Sequence, residues 1–275
     1  MAFGGALSLT NFFSNCCGGS SASANAQQLP EDAGLRGRGD GGASPSDFTF
    51  SELITDTYNI LWKLIIRPPR SEYSIEKLGS PKFRFSDTEG IFMRQDLQLS
   101  NFRGQRLECS HFLPAEASSV PRPCVIFCHG NCSSRLEVFD TLRHLLRRGI
   151  TVFCLDFSGS GLSEGEYISL GYFEEQDLRA VIEHLRESGS VSTVGLWGRS
   201  MGAATSVLRT SADWEISACV LDSAFSSLPV VAQEMVNRTA PVPDFLLGTA
   251  LQMVREEIQA RAKFDIQELL PIRQG

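Results

Sequence analysis

Three patterns in the sequence predict an α/β fold, a mostly parallel sheet flanked by helices and opened by a β-hairpin. Four short apolar runs, Cys124–Cys128 (CVIFC), Ile150–Leu155 (ITVFCL), Val194–Trp197 and Ala218–Leu221, have the unbroken hydrophobicity of strands covered on both faces. Leu136–Arg148, Tyr172–Glu187 and Met201–Thr210 lie between them with helical periodicity, and such alternation builds parallel sheets. Upstream, Leu97 and Leu99 alternate before Asn101-Phe102-Arg103-Gly104, and Leu107 and Cys109 alternate after it. A hairpin is therefore expected over Ile91–Phe112.

The remaining segments divide the chain into three parts. Residues 1–46 are rich in Gly, Ser, Ala and Asn and are expected to stay disordered, because so few large apolar side chains cannot offset the entropy of ordering. Residues 47–70 hold an amphipathic helix: Ile54, Tyr58, Leu61, Trp62 and Ile65 share one face, and Pro68 and Pro69 end it. That face packs on the domain or meets a membrane surface. Residues 71–275 form the α/β domain. After Ser223 the chain turns helical, over Pro229–Val236 and Asp244–Ala262.

Composition removes several functional classes. The 275 residues carry 25 basic and 32 acidic side chains, a net charge of −7, which disfavours nucleic acid as a partner. No apolar run approaches the ~18 residues of a membrane span. Among the eight cysteines no ligand spacing for zinc occurs, and Cys124, Cys128 and Cys154 sit inside strands as small hydrophobes. A reduced, cytoplasmic setting is expected, with no metal or cofactor. Ala2 excludes N-myristoylation, and S-acylation of the adjacent Cys16 and Cys17 is an alternative to two bare thiols.

Chemistry concentrates at Gly198-Arg199-Ser200-Met201-Gly202, a G-x-S-x-G pattern that follows an apolar strand and opens an Ala-rich helix. A sharp strand-to-helix turn presents Ser200 as a nucleophile, and the helix N-terminus places an N–H and a positive dipole end where negative charge develops. The backbone N–H of Met201 and that of Asn131, in His129-Gly130-Asn131 after the Cys128 strand, form the expected oxyanion hole. His129 is read as structural rather than as a general base. Asp156-Phe157-Ser158-Gly159-Ser160-Gly161-Leu162-Ser163 is read as a tight loop walling the cleft, since its glycines miss the spacing of a phosphate cradle. Asp222 is a weak candidate for the acid; a capping role for it is the favoured alternative.

Taken together, His129-Gly130-Asn131, Asp156-x-x-Gly159-x-Gly161-x-Ser163, Gly198-x-Ser200-x-Gly202 and Leu221-Asp222-Ser223 resemble the α/β-hydrolase superfamily, most closely its serine-aminopeptidase-like branch with the palmitoyl-thioesterase-like hydrolases. The resemblance runs from about Tyr58 to Gly275. It implies an α/β-hydrolase fold and attack by Ser200 on an ester, thioester or amide carbonyl. A small molecule, a lipid or an acyl-protein is the implied substrate.

One departure stands out. In that family the acid and then a histidine follow the nucleophile, whereas His111, His129, His144 and His184 all precede Ser200. Pro271 falls about where the first of two further strands would begin, so the last strands of the fold are expected to be missing. Three readings follow: a fragment of an active hydrolase, an inactive pseudo-hydrolase that binds a partner, and a site completed by a partner chain or an unusual base.

Overall fold

The computed structural model describes residues 50–86, 90–116, 118–239 and 244–273. The segment expected to be disordered, with Cys16 and Cys17, lies outside the described residues.

Among the described residues seven strands form one mixed sheet: β1 (Lys82–Phe83), β2 (Phe92–Ser100), β3 (Arg106–Pro114), β4 (Arg122–Cys128), β5 (Thr151–Leu155), β6 (Val191–Arg199) and β7 (Ile216–Asp222). Their order is β1-β2-β3-β5-β4-β6-β7. The hairpin is present, β2 running antiparallel to β3 with Leu97 opposite Cys109 and Leu99 opposite Leu107. From β5 to β7 every pairing is parallel. The order jumps back between β5 and β6, so the ends of β4 and β6 lie side by side, Cys128 opposite Gly198. That juxtaposition places the loop after β4 against the turn after β6, at the sheet's carboxyl end.

Alternation along the central strands divides the interior. Ile126, Phe153 and Leu155 face the larger core, where they meet helices α1 (Phe50–Ile66), α3 (Glu174–Glu187) and α4 (Met201–Ala212). Phe127, Val152 and Cys154 face the smaller core beneath α2 (Phe139–Leu146). Each fully buried Phe or Ile contributes about 1.5–3 kcal/mol relative to leaving it in water. Helix α1 packs on the domain rather than standing apart: Leu61, Trp62, Ile65 and Ile66 are buried. Its outer contacts are with α6 (Asp244–Ala262), through Tyr58 Oη donating to Glu257 Oε2 at 2.9 Å and Arg261 lying 4.3 Å from the Trp62 ring. Helix α5 (Leu228–Thr239) precedes α6.

Two boundaries differ from expectation. The segment expected to be helical from Leu136 begins as a 3-10 turn, Arg135–Val138, because the Arg135 N–H donates to Asp156 Oδ1 at 2.7 Å and pulls the turn onto β5. β6 is longer than the apolar run suggested, since β4 pairs with it from Val191 and β7 joins on the other side from Val194. Among the described residues β7 ends the sheet, paired with β6 alone, and Val220 and Leu221 are each 45% exposed. The final described residues, Pro271–Arg273, make a 3-10 turn.

Candidate active site

Ser200 joins β6 to α4 with φ 52° and ψ −113°, a backbone region that a side chain enters only when the surroundings force it. The forces are visible. The Ser200 N–H donates to the Asp222 carbonyl of β7 at 2.8 Å, and the Ser200 carbonyl accepts from Ala204 N at 3.0 Å, starting α4. Backbone packing fixes the rest. A Cβ on Gly202 would lie 2.1 Å from the Cys128 carbonyl oxygen, and one on Gly198 would lie 2.3 Å from the Gly202 oxygen. The turn therefore requires glycine on both flanks of Ser200.

Gly130 faces this turn. A Cβ built on it would sit 3.6 Å from the Arg199 carbonyl oxygen and 3.8 Å from Ser200 Cβ. The expected oxyanion residues thus come together: Asn131 is in the adjoining loop, and Met201 opens α4, where helix geometry leaves its N–H without an intrahelical acceptor. Ser200 is 3% exposed, and Asn131 and Met201 are also buried.

His129 is buried with both ring nitrogens engaged. Nε2 accepts from the Phe157 N–H at 3.1 Å, so Nδ1 carries the proton and donates to the Gly130 carbonyl at 2.7 Å. That arrangement is structural, as expected, and leaves no lone pair for Ser200. His111 and His184 flank Phe153, with ring centroids at 5.6 and 6.3 Å. Phe153 is level with Ile126, and Ile126 with Leu196, four residues before Ser200 on β6, a span of roughly 13 Å. His144 is exposed on α2. No histidine among the described residues is placed as the base of Ser200.

Asp222 corrects the reading of it as a cap. Its Oδ2 accepts from Arg199 Nε at 3.0 Å and its Oδ1 from Ser223 Oγ at 2.8 Å. Arg199 and Asp222 are register partners at the ends of the adjacent strands β6 and β7, and the charge-assisted bond between them is stronger than a neutral capping bond. Arg199 also donates through Nη1 to Glu137 Oε1 at 2.7 Å.

The glycine-rich loop turns inward. Asp156, fully buried at the end of β5, accepts from Tyr73 Oη at 2.6 Å and Leu162 N at 2.8 Å through Oδ2. Gly161, at φ 49°, lies so close that a Cβ there would meet Asp156 Cγ at 2.3 Å. Arg70 caps the loop from outside, donating to the carbonyls of Gly161 at 2.7 Å, Ser160 at 3.1 Å, Gly165 at 3.2 Å and Ser163. Burial and the neighbouring Asp156 carboxylate push the Tyr73 phenol far above its ordinary range. Sequence reading missed Tyr73, Arg70, Arg135 and Glu137; Arg70 follows a proline pair and Arg135 a serine pair, while Tyr73 and Glu137 carry no local signal.

Two surface hollows, of about 390 and 300 Å3, open elsewhere. One surrounds Val191–Val194 with Trp214, the other His111 with Arg122, both near the strand starts at the opposite end of the sheet.

Comparison with known proteins agrees with this fold. The family model for serine aminopeptidase S33 matches residues 119–267, more than half of the chain. Monoglyceride lipase of Rattus norvegicus is 30% identical over 160 residues, 54% of this chain and 52% of that protein. The esterase Pf2001 of Pyrococcus furiosus superposes with a TM-score of 0.50 at 24% identity, covering 68% of this chain and 70% of that one. A hypothetical protein of Pseudomonas aeruginosa gives 0.53 at 15% identity, covering 66% and 57%, and shares the fold. The chain spans between 29% and 52% of the length of the curated relatives it matches.

Proposed function

Since this chain belongs to the serine aminopeptidase S33 family of α/β hydrolases, we propose that it bears the nucleophile of an acyl-transfer hydrolase acting through Ser200. The observation that carries the reading is the strained Ser200 at the start of α4, held against Gly130, the residue before Asn131. In the reaction, Ser200 Oγ attacks an ester, thioester or amide carbonyl and its proton passes to a base. The oxyanion is met by the amides of Met201 and Asn131, the leaving group departs protonated, and water releases the acid from the acyl-enzyme. The similarity to a monoglyceride lipase favours a small ester or lipid as substrate.

The base comes from outside the described residues, because His129 is fully engaged and the other histidines stand away from the turn. Losing the imidazole of a triad costs on the order of 10⁶ in kcat, while binding and an oxyanion hole retain roughly 10³ over water. Slow p-nitrophenyl ester hydrolysis that free imidazole accelerates and Ser200→Ala abolishes is therefore expected. Hydrolysis unaffected by Ser200→Ala contradicts the reading.

The absence of a placed histidine among the described residues also favours a second reading, a pseudo-hydrolase that binds a partner. It predicts that Ser200→Ala preserves cellular function while deletion of residues 51–66 abolishes it. No helix among the described residues is long and apolar enough to cross a membrane. Peripheral attachment through acylated Cys16 and Cys17 belongs to the proposal, and an unchanged membrane-bound fraction after Cys16→Ser with Cys17→Ser removes it.

A further inference from the structure

The loop that faces Ser200 is clamped by a carboxylate outside the expected machinery. Glu137, on the 3-10 turn Arg135–Val138, has a side chain 12% exposed. Its Oε2 accepts from the Gly130 N–H at 2.9 Å, and its Oε1 accepts from Arg199 Nη1 at 2.7 Å. Arg199 continues to Asp222 Oδ2 at 3.0 Å, and the Asp222 carbonyl accepts from the Ser200 N–H at 2.8 Å. The chain of contacts thus runs from Gly130 through Glu137, Arg199 and Asp222 to Ser200.

Peptide planarity shows what the clamp controls. The Gly130 carbonyl and the Asn131 N–H belong to one rigid plane. That carbonyl accepts from His129 Nδ1 at 2.7 Å and from Ser133 N at 3.3 Å, which fixes the plane on one side of Gly130. Glu137 holds the N–H on the other side, so both planes flanking a conformationally permissive residue are fixed. Within the loop, Cys132 N donates to Asn131 Oδ1 at 2.8 Å. Asn131 directly follows Gly130, where a Cβ would sit 3.8 Å from Ser200 Cβ, so the loop carries the Asn131 amide alongside the Ser200 turn. Arg199 balances the charge of Glu137, so an acid beside an emerging oxyanion does not repel it.

We propose that Glu137 is a positioning residue that orients the Asn131 amide toward the oxyanion and ties that loop to the Ser200 turn through Arg199. The proposal rests on the acyl-transfer reading. Glu137 touches none of the reacting atoms, so its loss should weaken stabilisation of a tetrahedral adduct more than binding of a flat ester.

The test uses the full chain, an alkyl boronic acid that adds to a serine as a tetrahedral adduct, and a p-nitrophenyl ester assayed with imidazole. Glu137→Gln keeps the shape but offers a single acceptor oxygen, and Glu137→Ala offers none. Boronate affinity and kcat are expected to fall about threefold or more in the first and about tenfold or more in the second, with KM within about twofold. If Glu137→Ala does not fold, Glu137→Gln decides alone. Wild-type boronate affinity and kcat in folded Glu137→Gln, or losses confined to KM, overturn the role of Glu137. Absence of any Ser200-dependent adduct in the wild-type protein overturns the acyl-transfer reading, and this proposal with it.

Discussion

Tyr73 donates its phenolic hydrogen to Asp156 Oδ2 at 2.6 Å across 83 residues of sequence, and the Tyr73 hydroxyl oxygen in turn accepts from Arg135 Nε at 2.7 Å. One hydroxyl therefore joins the strap after α1, the end of β5 and the turn that carries Glu137. Tyr73→Phe removes it and leaves a buried carboxylate oxygen and a buried guanidinium short of a partner. A loss of about 1–3 kcal/mol is expected, read as a lower urea midpoint at unchanged slope. An unchanged midpoint would show that the strap is held by other contacts.

Close backbone approach sets the next expectation. Gly202→Ala forces a Cβ to within 2.1 Å of the Cys128 oxygen, and neither backbone can retreat without breaking β4 or α4. The variant should lose about 3–5 kcal/mol or fail to accumulate as folded protein. Gly189→Ala is the control: its φ of 65° strains alanine, but no atom lies within 4 Å, so about 1–2 kcal/mol is expected. Equal losses in the two variants would mean that strain, and not packing of the turn, is the constraint.

Thiol reactivity separates the cysteines. Burial pushes Cys124 and Cys128 up to about 12 and Cys109 well above its ordinary value, and Cys154 is likewise raised. Native alkylation followed by mass spectrometry should modify Cys132, which is partly exposed, before any of these four. Labelling of Cys109, Cys124, Cys128 and Cys154 should require unfolding. Native labelling of Cys128 would contradict the packing of the Ser200 turn on β4.

His111 gives the fold a pH dependence of known sign. Burial, with a smaller contribution from His184, pushes it from an ordinary 6.5 to about 4. Between those values the unfolded chain takes up a proton that the folded chain refuses, so stability falls as pH drops through that window. The full effect is on the order of 2–3 kcal/mol by pH 4. His111→Gln should flatten the pH dependence of the urea midpoint between pH 4 and 6.5, and an unaltered slope would show that His111 protonates freely in the native state.

Much of this was legible because it is local. Short unbroken runs such as CVIFC, bounded by proline and glycine, read as doubly covered strands, and the glycines flanking Ser200 announce a backbone approach that the contact between Gly202 and Cys128 explains. What stayed hidden is long-range and polar. Arg199 meets Glu137 across 62 residues and Asp222 across 23, and no periodicity marks such partners. Asp222 read as a cap because its neighbour Ser223 is local, while the arginine that binds it arrives from another strand. The 3-10 start at Arg135 was equally invisible, since it is imposed by Asp156 on β5.

Whether Ser200 is a nucleophile is tested most directly by incubating the folded chain with a fluorophosphonate and locating the adduct by mass spectrometry. The account predicts a single phosphonyl group on Ser200, formed slowly, hastened by free imidazole, and lost both in Ser200→Ala and after unfolding in urea. No adduct on Ser200 in the folded protein with imidazole present, or one that forms equally fast on the unfolded chain, would contradict it.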